Sequence, residues 1–210
     1  MAELVYRHQD VAYADQLVDL ERRAFPNMDP DDLIGPETVA LQAELFPEGA
    51  FMVLDGDRVV AMASGIFVDY DIERIQHDIH EVIGLHGVGN HDPDGDWYYG
   101  IDIAVDPEYR GRGIASELYR LRKQLVIDHN KRGIIAGGVL PGYRFHKDEM
   151  TALEYVEKVQ AGELVDPTLT AQIKNGFAVL GVIEDYVVNP IMDNWASFIA
   201  WFNPRYDPDA

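Results

Sequence analysis

The chain has 210 residues and a formal net charge of −20, from 37 acidic and 17 basic side chains. This length allows one compact domain with a sizeable core, and the acidic balance argues against a nucleic-acid partner, whose phosphates it would repel. The same balance suits attraction of a cationic amine as well as plain solubility. The absence of cysteine excludes disulfides, thiolate metal ligands and cysteine nucleophiles.

Nothing in the sequence predicts contact with a membrane. No apolar run approaches the roughly 20 residues that a membrane span requires. Met1–Asp10 lacks a basic region followed by an apolar stretch, so it is not typical of a secretory signal. We therefore expect a cytoplasmic protein.

The first half of the chain predicts two helices and a hairpin. A short strand at Leu4–Tyr6 is followed by Asp10, which suits the N-cap of a helix with one apolar stripe. A second helix is predicted over Glu37–Phe46. β-rich runs on both sides of an Asp-Gly turn predict a hairpin between residues 51 and 63, and residues 69–96 form a partly helical excursion. The stripe of the first helix comprises Tyr13, Leu17, Leu20 and Ala24.

The second half alternates strands and helices, which argues for an α/β or α+β layer structure. Trp97–Val105 predicts a strand, and a long helix begins near Gly113 and is closed by Gly133. A strand then leads into an excursion over residues 141–166, which contains a helix of its own. Asp166-Pro167 fits the N-cap and first-turn proline of a last helix. The remaining elements are the end of that helix at Asn175-Gly176 and strands at Ala178–Val187 and Phe198–Phe202.

The segment with the clearest chemistry is Tyr109–Ala115, which follows a strand and opens a helix. Gly111 and Gly113 keep side chains away, so that backbone N–H groups converge on an anion at the positive end of the helix dipole. Arg110 and Arg112 add positive charge in an acidic chain. The pattern favours a pyrophosphate site, with ordinary turn chemistry as the alternative. No P-loop string occurs, and the dinucleotide fingerprint lacks its third glycine.

These residues resemble the acyl-CoA signature of the GNAT acetyltransferases. Arg110–Ala115 is similar to the Arg/Gln-x-x-Gly-x-Gly/Ala string of that superfamily, and Ile103–Pro107 is similar to its usual lead-in strand. Asn175–Phe177 resembles the Gly-Phe that ends the last helix of the fold. The strings at His91–Asp96 and Ala136–Tyr143 further resemble the GNAT module that accompanies carbon-nitrogen hydrolase domains in some bacterial proteins.

The resemblance implies a single GNAT acyl-CoA-binding domain over residues 1–210, with excursions at 69–96 and 141–166. Its α/β (α+β) fold has a mixed, mostly antiparallel central sheet, splayed between strands 4 and 5 and flanked by helices. The implied cofactor is acetyl-CoA, whose pantetheine arm would pair with exposed strand backbone. A backbone N–H near Val105 would polarise the thioester carbonyl. The implied cofactor-binding residues are Ile103, Ala104, Val105, Arg110, Gly111, Arg112, Gly113, Ile114 and Ala115.

Direct acyl transfer to an amine needs a base for the amine and an acid for the departing thiolate. Asp102 lies on the implied strand and is the candidate base or substrate-orienting group, with a structural carboxylate as the alternative. Many GNAT enzymes place a tyrosine acid where this chain has Gln172, which leaves the acid open. Tyr143 and Tyr186 are candidates for the acid, although buried tyrosines usually pack. Asp166 lies near a cofactor-contacting position of the family but fits an N-cap better.

The histidines predict no metal site. His77, His80, His86 and His91 match no zinc-binding spacing, and no cysteine supports one. We expect loop histidines that line a substrate cleft.

The sequence therefore predicts an acetyl-CoA-dependent N-acetyltransferase that modifies a primary amine of a small molecule by direct attack in a ternary complex. The alternative is a non-catalytic acyl-CoA sensor or a partner module of a carbon-nitrogen hydrolase, which Gln172 slightly favours. GNAT proteins often form homodimers, and four aromatic residues near the C-terminus suit an interface or the core equally well. They are Trp195, Phe198, Trp201 and Phe202.

Overall fold

The computed structural model describes residues 3–209, in which helices cover both faces of one sheet. The strands are β1 (Val5–His8), β2 (Phe51–Asp55), β3 (Arg58–Val68), β4 (Trp97–Val105), β5 (Gly133–Val139), β6 (Ala178–Ile183) and β7 (Ala196–Phe202). The helices are α1 (Ala14–Ala24), α2 (Pro36–Leu45), α3 (Ile79–Ile83), α4 (Ile114–Asp128), α5 (Ala152–Gln160) and α6 (Leu169–Lys174).

The strand order is β1-β2-β3-β4-β5-β7-β6. All neighbouring strands are antiparallel except β4 and β5, which run parallel. β4 and β5 pair only from Trp97 to Tyr99, opposite Gly133 to Ile135, and then diverge. The mixed, mostly antiparallel sheet that splays between strands 4 and 5 is thereby confirmed.

A β-bulge on β4 decides which side chains face the divergence. Ser64 of β3 lies opposite Asp102, whereas the next β3 residue, Gly65, lies opposite Gly100. Ile101 is therefore the extra residue of the bulge, and it interrupts the alternation of faces along β4. Without the bulge, Asp102 and Gly100 would lie on the same face of the sheet. With it, they lie on opposite faces.

The two helical layers bury separate cores. Leu118 and Val126 of α4 pack with Tyr98 and Ile134 on one face of the sheet, where α5 and α6 also lie. On the other face α1 and α2 cover β2, β3 and β4, with Leu17 buried there. An apolar stripe on α1 and on α4 explains which side each of these two helices buries. Along the described part of the chain, every helix is too short or too polar to cross a membrane.

Several predicted boundaries were displaced by tertiary packing. β3 continues to Val68 instead of ending near residue 63, since its residues from Ala61 to Val68 pair with β4. α4 ends at Asp128, and Gly133 begins β5, where a Cβ atom would overlap the carbonyl of Trp201. β6 ends at Ile183 rather than residue 187. Of the C-terminal aromatic residues, Phe198 is fully buried core and Phe202 is half exposed.

Replacing Gly65 by alanine is expected to destabilise the sheet near the bulge. A Cβ atom there would overlap the Tyr98 ring, which cannot retreat easily because its hydroxyl donates to the Gly49 carbonyl at 2.7 Å. Overpacking of this kind costs about 1–3 kcal/mol. Gly56→Ala is the control, because its φ of +60° imposes backbone strain while its Cβ would meet open space. Urea unfolding of both variants should show the larger loss for Gly65→Ala, and equal losses would contradict the proposed overlap.

Candidate active site

Two cavities meet where β4 and β5 diverge. The first, of about 570 Å³, is lined by Glu21, Asp102 and Gly137 among others, and we call it the carboxyl cavity. The second, of about 590 Å³, is lined by Ile103–Val105 and by Gly111 and its neighbours, and we call it the glycine-loop cavity. Volumes of this size accommodate small-molecule ligands.

The glycine-loop cavity contains the exposed N-terminus of α4. Gly111 and Gly113 adopt φ values of +75° and +79°, a left-handed conformation that favours glycine. Gly113 is the N-cap, and the first intrahelical hydrogen bond runs from the Glu117 N–H to its carbonyl. The N–H groups of the first turn therefore have no intrahelical acceptor, and the residues that carry them line the cavity. This arrangement suits an anion at the positive end of the helix dipole.

Asp106 holds the start of the glycine loop in place. Its Oδ1 accepts from the Glu108 N–H at 3.0 Å. Its Oδ2 accepts from Arg58 at 2.9 Å and from Arg23 of α1 at 3.2 Å. The carboxylate is almost completely buried, so these bonds fix the end of β4 against the end of α1.

Eight of the nine predicted cofactor-binding residues line the glycine-loop cavity. Arg112 does not, because its guanidinium donates to the Glu108 carbonyl at 2.9 Å and lies 4.5 Å from the centroid of the Tyr109 ring. Lys123, another basic residue near the loop in sequence, donates instead to the Asn175 carbonyl at the end of α6. The residues that do line it are Ile103, Ala104, Val105, Arg110, Gly111, Gly113, Ile114 and Ala115.

Asp102 and Glu21 form a buried carboxyl pair in the carboxyl cavity. Asp102 Oδ2 accepts from Ser64 Oγ at 2.5 Å, while its Oδ1 has no hydrogen-bond partner within residues 3–209. Glu21 Oε2 accepts from the Ile34 N–H at 2.5 Å. Leaving a buried carboxylate oxygen without a hydrogen-bond donor costs free energy.

Both carboxyl groups of the pair have raised pKa values. Burial and, after it, the neighbouring Asp102 charge raise the pKa of Glu21 to about 8, and the hydrogen bond from the Ile34 N–H acts in the opposite direction. Burial also raises the pKa of Asp102, but the Arg122 charge and the Ser64 hydrogen bond favour its ionised form.

Arg122 of α4 supports Asp102 from below the bulge. Its buried guanidinium donates to the Ser64 carbonyl at 2.5 Å and also to the Asp102 carbonyl. A side chain at Gly100 would crowd this group, since a Cβ atom there would lie 3.3 Å from an Arg122 nitrogen. Arg122 therefore links β3, β4 and α4 at the backbone of Asp102.

The tyrosines predicted as acids have other surroundings. Tyr143 is absent from the described lining of both cavities: its buried hydroxyl donates to the Met150 carbonyl at 3.0 Å. Tyr186 borders the carboxyl cavity, but its hydroxyl lies 2.9 Å from the Tyr99 hydroxyl, which lies 2.8 Å from His77 Nε2. The structure therefore does not bring Tyr143 to Asp102, and it commits Tyr186 to a buried network.

Two further sequence interpretations are resolved by contacts. Asp166 accepts from the N–H groups of Thr168 and Leu169 at 2.8 and 2.9 Å, so its N-cap role is confirmed. His80 and His86 line the carboxyl cavity. The part of the chain that the structure describes contains no cluster of three or more side chains suited to hold a metal ion.

Glu21 is the site residue that sequence reasoning missed. It follows Leu17 by four residues, so it lies on the apolar stripe of α1 and is 4% exposed. A carboxylate at a buried stripe position was the available signal, because such groups are rarely buried without a partner. What the pattern could not supply was the partner, which comes from β4.

Glu21→Gln is expected to change how stability depends on pH. Glu21 has a folded pKa of about 8 against an ordinary value of 4.5, so its contribution is complete below pH 4.5 and declines as pH rises to 8. The decline reaches at most about 1.4 kcal/mol per pH unit. Glutamine mimics the protonated acid, so the variant should gain stability relative to wild type between pH 5 and 8. If the difference in unfolding free energy between the variant and wild type stays constant from pH 5 to pH 8, the prediction is wrong.

The comparisons with known proteins agree with this geometry. A profile of the Acetyltransferase (GNAT) family matches residues 14–146. The chain is 32% identical over 207 residues to the probable hydrolase YhcX of Bacillus subtilis (strain 168), covering 98% of this chain and 40% of YhcX. It is 28% identical over 204 residues to the uncharacterized N-acetyltransferase YkwB of the same strain, covering 97% and 90%. The chain thus spans well under half the length of YhcX.

A solved structure supports the fold. The GNAT-like decarboxylase GphF in complex with isobutyryl-CoA superposes with a TM-score of 0.76 at 17% identity, covering 95% of this chain and 99% of that one. The chain belongs to the GNAT acetyltransferase family.

Proposed function

We propose that the protein is an acetyl-CoA-dependent N-acetyltransferase that acetylates a primary amine of a small cationic molecule by direct attack in a ternary complex. The observation that carries this proposal is the buried Glu21–Asp102 pair beside the divergence of β4 and β5. Asp102 lines a cavity next to the proposed cofactor site, where a carboxylate can take the proton that an amine acceptor must lose.

The cofactor would occupy the glycine-loop cavity. β5 leaves β4 after Tyr99, so the edge of β4 from Ile103 to Val105 is available to the amide groups of a pantetheine arm, as to an added strand. The pyrophosphate would lie against the first turn of α4, with Arg110 near. The proposal of acetyl as the acyl group rests on the family and on YkwB being called an N-acetyltransferase.

The acceptor would occupy the carboxyl cavity, which has acidic walls. Within the described lining, Arg122 is the one Lys or Arg side chain, and its guanidinium is turned to backbone carbonyls. Such a cavity attracts an ammonium ion and repels a carboxylate. The acidic residues of the lining are Glu21, Asp31, Asp32, Glu37 and Asp102.

The chemistry proceeds by loss of a proton and attack. The ammonium gives a proton to Asp102 Oδ1, and the neutral nitrogen attacks the thioester carbonyl carbon. A backbone N–H near Val105 stabilises the oxyanion of the tetrahedral intermediate. The nitrogen loses its second proton to solvent as the C–S bond breaks, which leaves an amide and a thiolate that needs a proton.

Other activities fit the cavity less well. GphF is called a decarboxylase, but an acyl group that carries its own carboxylate would meet the Glu21–Asp102 pair here. A sensor or hydrolase-partner module without turnover would gain nothing from burying an unsatisfied carboxylate oxygen in the cavity. A cytoplasmic location suits acetyl-CoA chemistry, and homodimer formation stays a prediction from the family.

The test is calorimetric titration with acetyl-CoA and CoA, followed by thiol release against a panel of mono- and diamines. Binding together with amine-dependent thiol release would support the proposal. Binding without release from any amine would favour the sensor or partner module, and no binding would refute the cofactor site.

Gly113→Glu is expected to weaken acetyl-CoA binding by about 100-fold or more, because it places a carboxylate at the anion site and strains a left-handed residue. Gly162→Glu is a matched control: its φ is +75°, its Cβ would also meet open space, and it lies outside the lining of both cavities. Calorimetry should show normal binding for the control. Equal affinities for the two variants would contradict the site.

Asp102→Asn should leave acetyl-CoA affinity nearly unchanged and slow transfer by about 100-fold or more, because the amide keeps the shape but cannot take the proton. Steady-state kinetics with the best amine, alongside calorimetry, provides the measurement. Unchanged kcat would remove Asp102 from the mechanism.

A further inference from the structure

The proposed reaction still lacks a donor for the proton that the leaving thiolate takes. Gln172, at the position where the family often has a tyrosine, cannot ionise. Tyr143 lies outside the described walls of both cavities, and Tyr186 borders only the carboxyl cavity, with its hydroxyl engaged by Tyr99. The donor must therefore be sought from the position of the sulfur.

The sulfur of a bound thioester must lie where the two cavities join. The cofactor reaches that point from the glycine-loop cavity, and the acceptor reaches it from the carboxyl cavity. Among the described residues, six line both cavities, and Tyr119 is the one of them with a titratable side chain. The six are Phe25, Met28, Ile103, Tyr119, Val139 and Thr168.

Tyr119 is held firmly at this junction. It lies in the second turn of α4, after the anion-binding first turn, and its side chain is 5% exposed. Its ring packs against Phe177, with 5.1 Å between the ring centroids. A residue on the same helix as the cofactor's anion site keeps a fixed distance from the bound cofactor.

The surroundings of Tyr119 suit a proton donor. Burial raises the pKa of its phenol, so the hydroxyl keeps its proton at neutral pH. The positive charge of Arg122 and the nearby Gln172 side chain act in the opposite direction and favour the phenolate left after donation. Gln172 occupies the position where the family often has a tyrosine, and its side chain lies near Tyr119 of α4.

We propose that Tyr119 is the general acid of the reaction, donating its phenolic proton to the CoA sulfur as the C–S bond breaks. The assignment rests on the proposed acetyl transfer. The ammonium passes one proton to Asp102, and the nitrogen loses a second proton as the amide forms. Both protons reach solvent, while the Tyr119 phenolate takes one proton from solvent, so that one proton is released overall. The net reaction converts amine and thioester into amide and free thiol, with no other reactant.

The test compares Tyr119→Phe with Tyr143→Phe. Both changes delete one buried tyrosine hydroxyl, but Tyr143 lies away from the cavities. With acetyl-CoA and the best amine, Tyr119→Phe should lower kcat about 100-fold while KM for acetyl-CoA and its calorimetric affinity stay within about 3-fold. Tyr143→Phe should keep kcat within about 2-fold of wild type.

A pH profile separates acid catalysis from packing. Wild-type kcat should fall at alkaline pH as the Tyr119 phenol ionises, and 3-fluorotyrosine at position 119, a more acidic phenol, should move that fall to lower pH. If the alkaline fall of kcat does not move, or if the two phenylalanine variants have equal kcat values, the assignment of Tyr119 is overturned. The proposed transferase activity is unaffected by either result. Absence of amine-dependent thiol release from wild type would instead overturn the proposed function and the assignment with it.

Discussion

Arg122 joins α4 to the carbonyl groups of Ser64 and Asp102 at the bulge of β4, and the geometry of both cavities depends on that junction. The bulge turns Asp102 to the face that α1 covers, and β5 departs from β4 just before this point. Where two strands diverge, their unpaired backbone groups can form hydrogen bonds with a strand of another chain. Here helices on both faces shelter the opening, so that a ligand rather than a strand can use it.

Burying two carboxyls next to each other is unfavourable, and the fold compensates them unequally. Asp102 has Arg122 nearby and a Ser64 hydrogen bond, whereas Glu21 has only the Ile34 N–H. This asymmetry places the two carboxyls in different electrostatic surroundings. A stability cost of this kind is typical of functional sites, because a fully satisfied carboxylate would have no oxygen left for a substrate proton.

The distribution of charge separates the two ligands. A net charge of −20 would repel the phosphates of a cofactor, yet the glycine loop offers uncapped N–H groups, and Asp106 is neutralised locally by Arg23 and Arg58. On the other side of the divergence the carboxyl cavity keeps its negative character. In the proposed reaction, an anionic cofactor and a cationic acceptor would enter from different sides of one reaction centre.

The sequence by itself determined the features that depend on neighbouring residues. The Asp-Gly hairpin, the Asp166 cap of α6 and the glycine loop before α4 follow from local backbone chemistry, and the family signature placed the divergence between the fourth and fifth strands.

Only the tertiary structure decided which side chains meet. A bulge that shifts the alternation of β4 brings Asp102 to Glu21. Tyr119 lies where the two cavities join because α4 packs against this part of the sheet. The sequence predicted Tyr143 as a catalytic acid and Arg112 as a cofactor-binding residue. In the structure both side chains donate hydrogen bonds to nearby backbone carbonyls. The physical reason is that hydrogen-bond partners and burial arise from long-range packing, which residue spacing along one strand or helix does not specify.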